Sequence, residues 1–234
     1  MENIFNAQST VGEIVAMFPK ASDLFKAYKI DFCCGGNRSL SEVLAEKQLD
    51  IETILSELQS LYEKSLEKVE KNWMEASYTN LIEHIIQKHH RFLMEELPQL
   101  SPYVTKVLRV HGPEQPHLVQ VHKLFNELKT ELEQHLMKEE TKAFPLIIQF
   151  EQYPTKENEQ AMREVIEELV TEHDTAGDII KEIRKITNDF TPPFDACGTY
   201  RLVYNRLEAL EEDLFTHIHL ENNILFPRIL ANAK

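Results

Sequence analysis

No run of about 18 or more apolar residues occurs anywhere in the chain, which excludes a helix that spans a membrane. Glycine is scarce, with 6 residues in 234, and cysteine scarcer still, with 3. So few glycines argue against turn-rich β architecture, and long periodic stretches point to an all-α protein. Three cysteines, two of them adjacent, cannot build a disulfide framework, and a reducing cytoplasm is the expected compartment. The opening Met-Glu-Asn-Ile-Phe-Asn lacks the basic start and apolar core of a signal peptide, in line with that expectation. Positive charge is also in deficit: 25 Lys and Arg stand against 39 Asp and Glu, a formal net charge of −14. Such a chain repels phosphate backbones, so nucleic acid is not an expected partner.

What the chain does contain is polar residues where apolar ones belong. Val121, Phe125, Leu128, Leu132, His135 and Glu139 step by four, three, four, three and four residues, the inward seam of a bundle helix. Val203, Leu207, Leu210, Leu214, His217, Glu221 and Ile224 repeat the pattern. The match continues past both seams as H-x-x-x-E-x-x-x-x-F-P-x-I, from His135 to Ile147 and from His217 to Ile229. An i,i+4 His–Glu pair on a helix surface is routine, but the seam position and the duplication argue against that reading here. Buried polar groups cost about 2–7 kcal/mol each when unpaired. Two such pairs on facing seams call for a common partner, and a metal inside a bundle supplies one.

The remaining seams extend the set. Ile82, Ile86, His90, Leu93 and Leu97 align on one helix, and Met162, Ile166, Leu169, His173, Ala176, Ile180 and Ile183 on another. His90 has a rival in its neighbour His89, and periodicity favours His90. His84, His111, His117 and His122 are expected on the surface or in loops, and His219 lies off its seam. His90, His135, Glu139, His173, His217 and Glu221 give four imidazoles and two carboxylates, a donor set suited to two iron or manganese ions with each Glu bridging. Glu131 and Glu172 are candidate proton-relay groups beside the ligands.

Organisation follows from punctuation. Residues 1–66 read as a small helical domain. Thr10/Glu13 and Ser39/Glu42 are possible capping boxes, Asp50 is a possible cap, and a helix is expected from Ile51 to about Leu66. The charged stretch Glu67–Ser77, with the single Trp73, reads as a boundary, and 78–234 as a four-helix bundle. Pro98, Pro102, Pro113 and Pro116 predict a non-helical connection over 98–116, Gln149–Glu157 a turn, and Pro227 a fraying helix end. In the front domain, Cys33-Cys34-Gly35-Gly36 forms a turn whose thiols can bind metal or exchange disulfides, while its glycines admit a close partner. Cys197 has no partner in the sequence.

Tyr28–Gly36, His135–Glu140, Glu172–Gly177 and Leu220–Pro227 together resemble the di-iron iron–sulfur cluster repair proteins, the repair of iron centres family. The resemblance covers nearly the whole chain. It implies an N-terminal Cys-Cys-Gly-Gly domain followed by a hemerythrin-like bundle, with metal ligands at His90, His135, Glu139, His173, His217 and Glu221. It further implies two iron ions per chain, oxo- or hydroxo-bridged, in a cytoplasmic, often dimeric stress protein. Such a protein restores clusters damaged by nitric oxide or oxidants by donating iron, with Cys33 and Cys34 docking clients or passing iron on. The same site would also suit a nitric oxide reductase, or a module that binds nitric oxide or oxygen.

Overall fold

The computed structural model describes residues 4–65 and 72–232. Leu66 and the first part of the boundary stretch, 67–71, lie outside the described residues. Among the described residues there is no strand, only an isolated antiparallel bridge between Thr10 and Ser39. The chain forms two compact units. One comprises the described residues up to Ser77 together with Ile218–Asn232, the other Tyr78–His217.

The first unit opens with four helices: α1 (Val11–Met17), α2 (Ala21–Ala27), α3 (Leu40–Glu46) and α4 (Ile51–Ser65). Both capping boxes form. Thr10 Oγ1 accepts from the Glu13 N–H while Glu13 accepts from the Thr10 N–H, and Ser39 and Glu42 do the same. Asp50 accepts from the Thr53 N–H at 2.9 Å and starts α4. Phe5, Ile14, Phe18, Phe25, Phe32, Leu40, Leu44, Ile54 and Leu58 are buried, each adding roughly 1.5–3 kcal/mol of apolar burial. Arg228 donates to the carbonyls of Trp73 and Ala76, tying the end of the boundary segment to the C-terminal helix.

The second unit is a bundle of four long helical runs. The first comprises α5 (Tyr78–Ile85), a π-turn at Ile86–His90 and α6 (Arg91–His111). The second comprises α7 (His117–Lys138), a π-turn at Glu139–Ala143 and α8 (Phe144–Gln152). The third is α9 (Lys156–Ile186). The fourth begins as α10 (Gly198–His219) and continues without a break through a π-turn at Leu220–Leu225 into α11 (Phe226–Asn232), leaving the second unit after His217. The seams of α7, α9 and α10 are buried at every position the sequence assigned to them.

Proline misled the reading in two places, over 98–116 and at Pro227. Pro98 and Pro102 sit inside α6 rather than in a connection. Both are exposed, and the apolar seam Leu93, Leu97, Leu100, Val104, Val107 stays buried beneath them. Core packing therefore outweighs the lost N–H donors. The true break is short and lies at Gly112–Pro116. Pro145 does not end the second run, which reaches Gln152, because proline is tolerated in the first turn of α8. Pro227 likewise opens α11 instead of fraying α10.

The three π-turns share one hydrogen bond that reaches five residues back: Arg91 N–H to Ile86 O, Phe144 N–H to Glu139 O, and Phe226 N–H to Glu221 O. A π-turn holds an extra residue, so it shifts the face that the following residues present. In the first run Ile85 is therefore buried, Ile86 only half-buried, and His89 and His90 both face inward.

Candidate metal centre

Three of the four long runs bring polar side chains to one level through their π-turns, and α9 does so through regular helix. His90 ends the first π-turn and Glu139 begins the second. Glu221 is the second residue of the third, four residues after His217 in the same helical run. His135 stands one turn before Glu139 on α7, and His173 is in the middle of α9. All six are buried, and Glu139, His217 and Glu221 completely so.

Glu139 organises the cluster. Its Oε1 lies 3.3 Å from His135 Nε2 and 4.0 Å from His173 Nε2. Its Oε2 lies 3.2 Å from His90 Nε2 and 3.9 Å from His217 Nε2. One carboxylate thus faces two separate imidazole pairs, one pair per oxygen. The ligand atoms fall into two groups of four, His90/Glu139/His217/Glu221 and His135/Glu139/His173/Glu221, with all atoms of a group within 4.8 Å of one another. Both carboxylates belong to both groups, the arrangement two bridging glutamates require. His135 Nε2 and His173 Nε2 approach to 3.0 Å, so two ring nitrogens converge where a cation or a shared proton must sit.

The outer nitrogens fix how these rings are used. His90 Nδ1 meets Glu140 Oε1 at 2.8 Å, and His135 Nδ1 meets Glu172 Oε2 at 2.8 Å. A carboxylate on Nδ1 places the ring proton there and turns the Nε2 lone pair inward. Glu172 also pairs with Lys138. The hydrogen bond from His135 and, against the pull of burial, that from Lys138 hold the Glu172 carboxyl down to about 2.

Of the sequence-derived candidates, Glu172 therefore stands directly behind a ring of the cluster, while Glu131 is exposed. Glu140 was missed because an exposed-looking Glu next to a seam residue carries no periodic signal. His89 is buried as deeply as His90. Its Nδ1 is 2.9 Å from Asp213 Oδ1, and its ring lies parallel to that of His217 at 5.6 Å. His219 is off the seam but buried, 3.3 Å from the Phe32 carbonyl oxygen, and burial pushes its ring down to about 4. His117 is half-buried rather than a plain surface residue, with Tyr204 Oη 2.9 Å from its Nε2. Cys197 does have a neighbour, His111 Nε2 at 3.2 Å.

The Cys33–Cys34 turn carries two thiols not joined in a disulfide, Cys33 buried and Cys34 partly exposed, with their Sγ atoms 3.8 Å apart. Asp31 Oδ1 accepts from both the N–H and the thiol of Cys33. Burial, then Cys34 and Asp31, push the Cys33 thiol well above its usual range. Cys33 is therefore a neutral thiol near pH 7.

Residues 81–229 match the family described as hemerythrin HHE cation binding domain, and residues 7–62 match ScdA_N, a domain of unknown function. The chain is 37% identical over 219 residues to the iron-sulfur cluster repair protein ScdA of Staphylococcus haemolyticus, covering 94% of this chain and 96% of that one. It is 42% identical over 221 residues to the iron-sulfur cluster repair protein YtfE of Escherichia coli O8, again covering 94% and 96%.

Proposed function

This chain belongs to the iron–sulfur cluster repair proteins with a hemerythrin-type cation-binding domain, and from that premise we propose that it holds two iron ions and donates iron to damaged clusters. His90 and His217 would serve one ion, His135 and His173 the other, and Glu139 and Glu221 both. The observation that carries this reading is Glu139, a fully buried carboxylate that offers one oxygen to each imidazole pair. The donor set suits the group: imidazole binds iron readily, and shared carboxylates are the usual bridge in helical bundles.

When bound there, ferrous iron supplies a labile metal for rebuilding a cluster. The chain's own residues set that lability. Six side chains shared between two ions would leave positions for exogenous ligands. Glu140 and Glu172 orient His90 and His135 from behind, while the apolar seams above and below keep water from competing. A front domain over 1–66 would present Cys33 and Cys34 to clients, and a bundle over 78–234 would hold the metal.

The test has two stages. Elemental analysis of freshly purified protein should give about two irons per chain, the stoichiometry of a two-metal carboxylate site. The reduced protein is then mixed anaerobically with an apo-ferredoxin. Loss of iron from the chain, with recovery of the ferredoxin cluster, supports donation. Sustained nitrous oxide production from added nitric oxide, without iron loss, would instead support a nitric oxide reductase.

A further inference from the structure

The Cys33–Cys34 turn and the π-turn that carries Glu221 lie in the same compact unit, and the Asn223 side chain bridges them. Asn223, two residues after Glu221, donates through Nδ2 to the carbonyl oxygens of Phe32 at 3.2 Å and Cys33 at 3.0 Å. His219, on the preceding turn, adds its Nδ1 to the Phe32 carbonyl. The amide oxygen of Asn223 occupies a notch that only glycines leave open. A Cβ on Gly36 would fall 2.5 Å from that oxygen and 2.6 Å from the Phe32 carbonyl, and a Cβ on Gly12 would overlap the same oxygen. Gly12 N–H in turn donates to Gly36 O at 2.7 Å, closing the notch. Neither glycine has a positive φ. Their missing side chains, not backbone freedom, are what this contact needs.

We propose that Asn223 is a positioning residue that couples metal at Glu221 to the reactivity of the Cys33–Cys34 pair. The inference rests on the metal reading above and adds a direction to it. Metal bound by Glu221 steadies the π-turn. Asn223 passes that constraint to the Cys33 carbonyl, and the thiol turn closes. Emptying the site loosens the turn and exposes the thiols. Linkage is reciprocal, so whatever holds the thiol turn open also lowers iron affinity. The pair would thus be presented to a client after iron has left, rather than before.

The experiment uses the full-length protein, anaerobic, with and without saturating ferrous iron, its uptake verified by elemental analysis. Alkylation by iodoacetamide is followed by peptide mass spectrometry at Cys33, Cys34 and, as an internal reference, the exposed Cys197. Iron should slow alkylation at Cys34 by about fivefold or more, within the usual range of coupling between sites, and leave Cys197 unchanged. Asn223→Asp keeps the size and removes the donor, and Gly36→Ala fills the notch without adding charge. Each should abolish the iron effect while retaining helix content and the Cys197 rate. A loaded wild-type chain with unchanged Cys34 reactivity overturns the inference alone, as does an iron effect that survives both substitutions. A chain that takes up no iron overturns the metal reading and this inference with it.

Discussion

Nδ1 of His90 is held at 2.8 Å by Glu140, the residue directly after Glu139, so adjacent carboxylates serve opposite sides of one imidazole ring. Glu139 meets the inner nitrogen of the His90 ring and Glu140 the outer one. Glu172 repeats the outer role for His135. Removing such a partner typically costs 10–100-fold in metal affinity. Glu140→Ala and Glu172→Ala should each weaken iron binding by about that factor in chelator competition, and Glu131→Ala should leave it unchanged. Equal affinities in all three variants would show that the outer carboxylates do not orient the rings.

Glu139 separates a metal centre from a polar core. Its carboxylate is fully buried and faces four imidazoles, a costly arrangement in the absence of a cation. Glu139→Leu should therefore raise the stability of metal-free protein, by about 1–3 kcal/mol, while abolishing iron uptake. In the wild type, saturating iron should raise the melting temperature and a chelator should reverse the gain, since a ligand at 100 times its Kd stabilises by about 2.7 kcal/mol. Differential scanning calorimetry of both proteins, loaded and stripped, measures both effects.

Half-buried Arg184 and buried Glu211 form a second ion pair, at 2.5 Å between Nη2 and Oε2. Burial pushes the Glu211 carboxyl up against the downward pull of Arg184. Its folded pKa lies above the unfolded one, so the native state binds more protons across that window and stability falls as pH rises through it. Arg184→Met removes the downward pull and widens the window. The variant should lose about 3–5 kcal/mol near pH 7, with the deficit shrinking as pH is lowered toward the unfolded carboxyl range. Urea denaturation at a series of pH values checks the sign, and a further Glu211→Gln change should restore much of the loss.

Pro98 is an exposed residue inside α6 that removes a helical hydrogen bond. Proline in a helix interior costs about 3 kcal/mol relative to alanine in isolated helices. Pro98→Ala should raise the melting temperature by several degrees without changing iron content. An unchanged or lower melting temperature would mean that the helix has already adapted to the proline.

The sequence carried the cluster because ligands that face a core must obey its period. His135 and Glu139 fall on the seam of Val121, Phe125, Leu128 and Leu132, and His217 on the seam of Val203 to Leu214, so spacing alone exposed them. Where the period itself changes, that reading fails. The π-turn at Ile86–His90 buries Ile85 and both histidines, which no fixed helical step predicts. A signal for two of the π-turns was present nonetheless: a proline stands six residues after Glu139 and six after Glu221. Pro98 and Pro102 misled for the opposite reason, since local propensity yields to the buried seam beneath them. Glu140, Asn223 and His219 were illegible because their partners are distant in sequence. Only the folded chain brings Phe32 to Asn223.

Pro145 and Pro227 also limit how the centre can move. If the widened turns rewound to ordinary α-helix, the carbonyls of Thr141 and Asn223 would look for donors at positions 145 and 227, and proline has none to give. The backbone carrying each glutamate is therefore denied a return to regular helix, so a turn that slackens when the cavity empties has no ordered α-helical state to settle into. An ion held there would leave behind a turn able to relax but not to rewind, and its re-entry would have no helical register to undo.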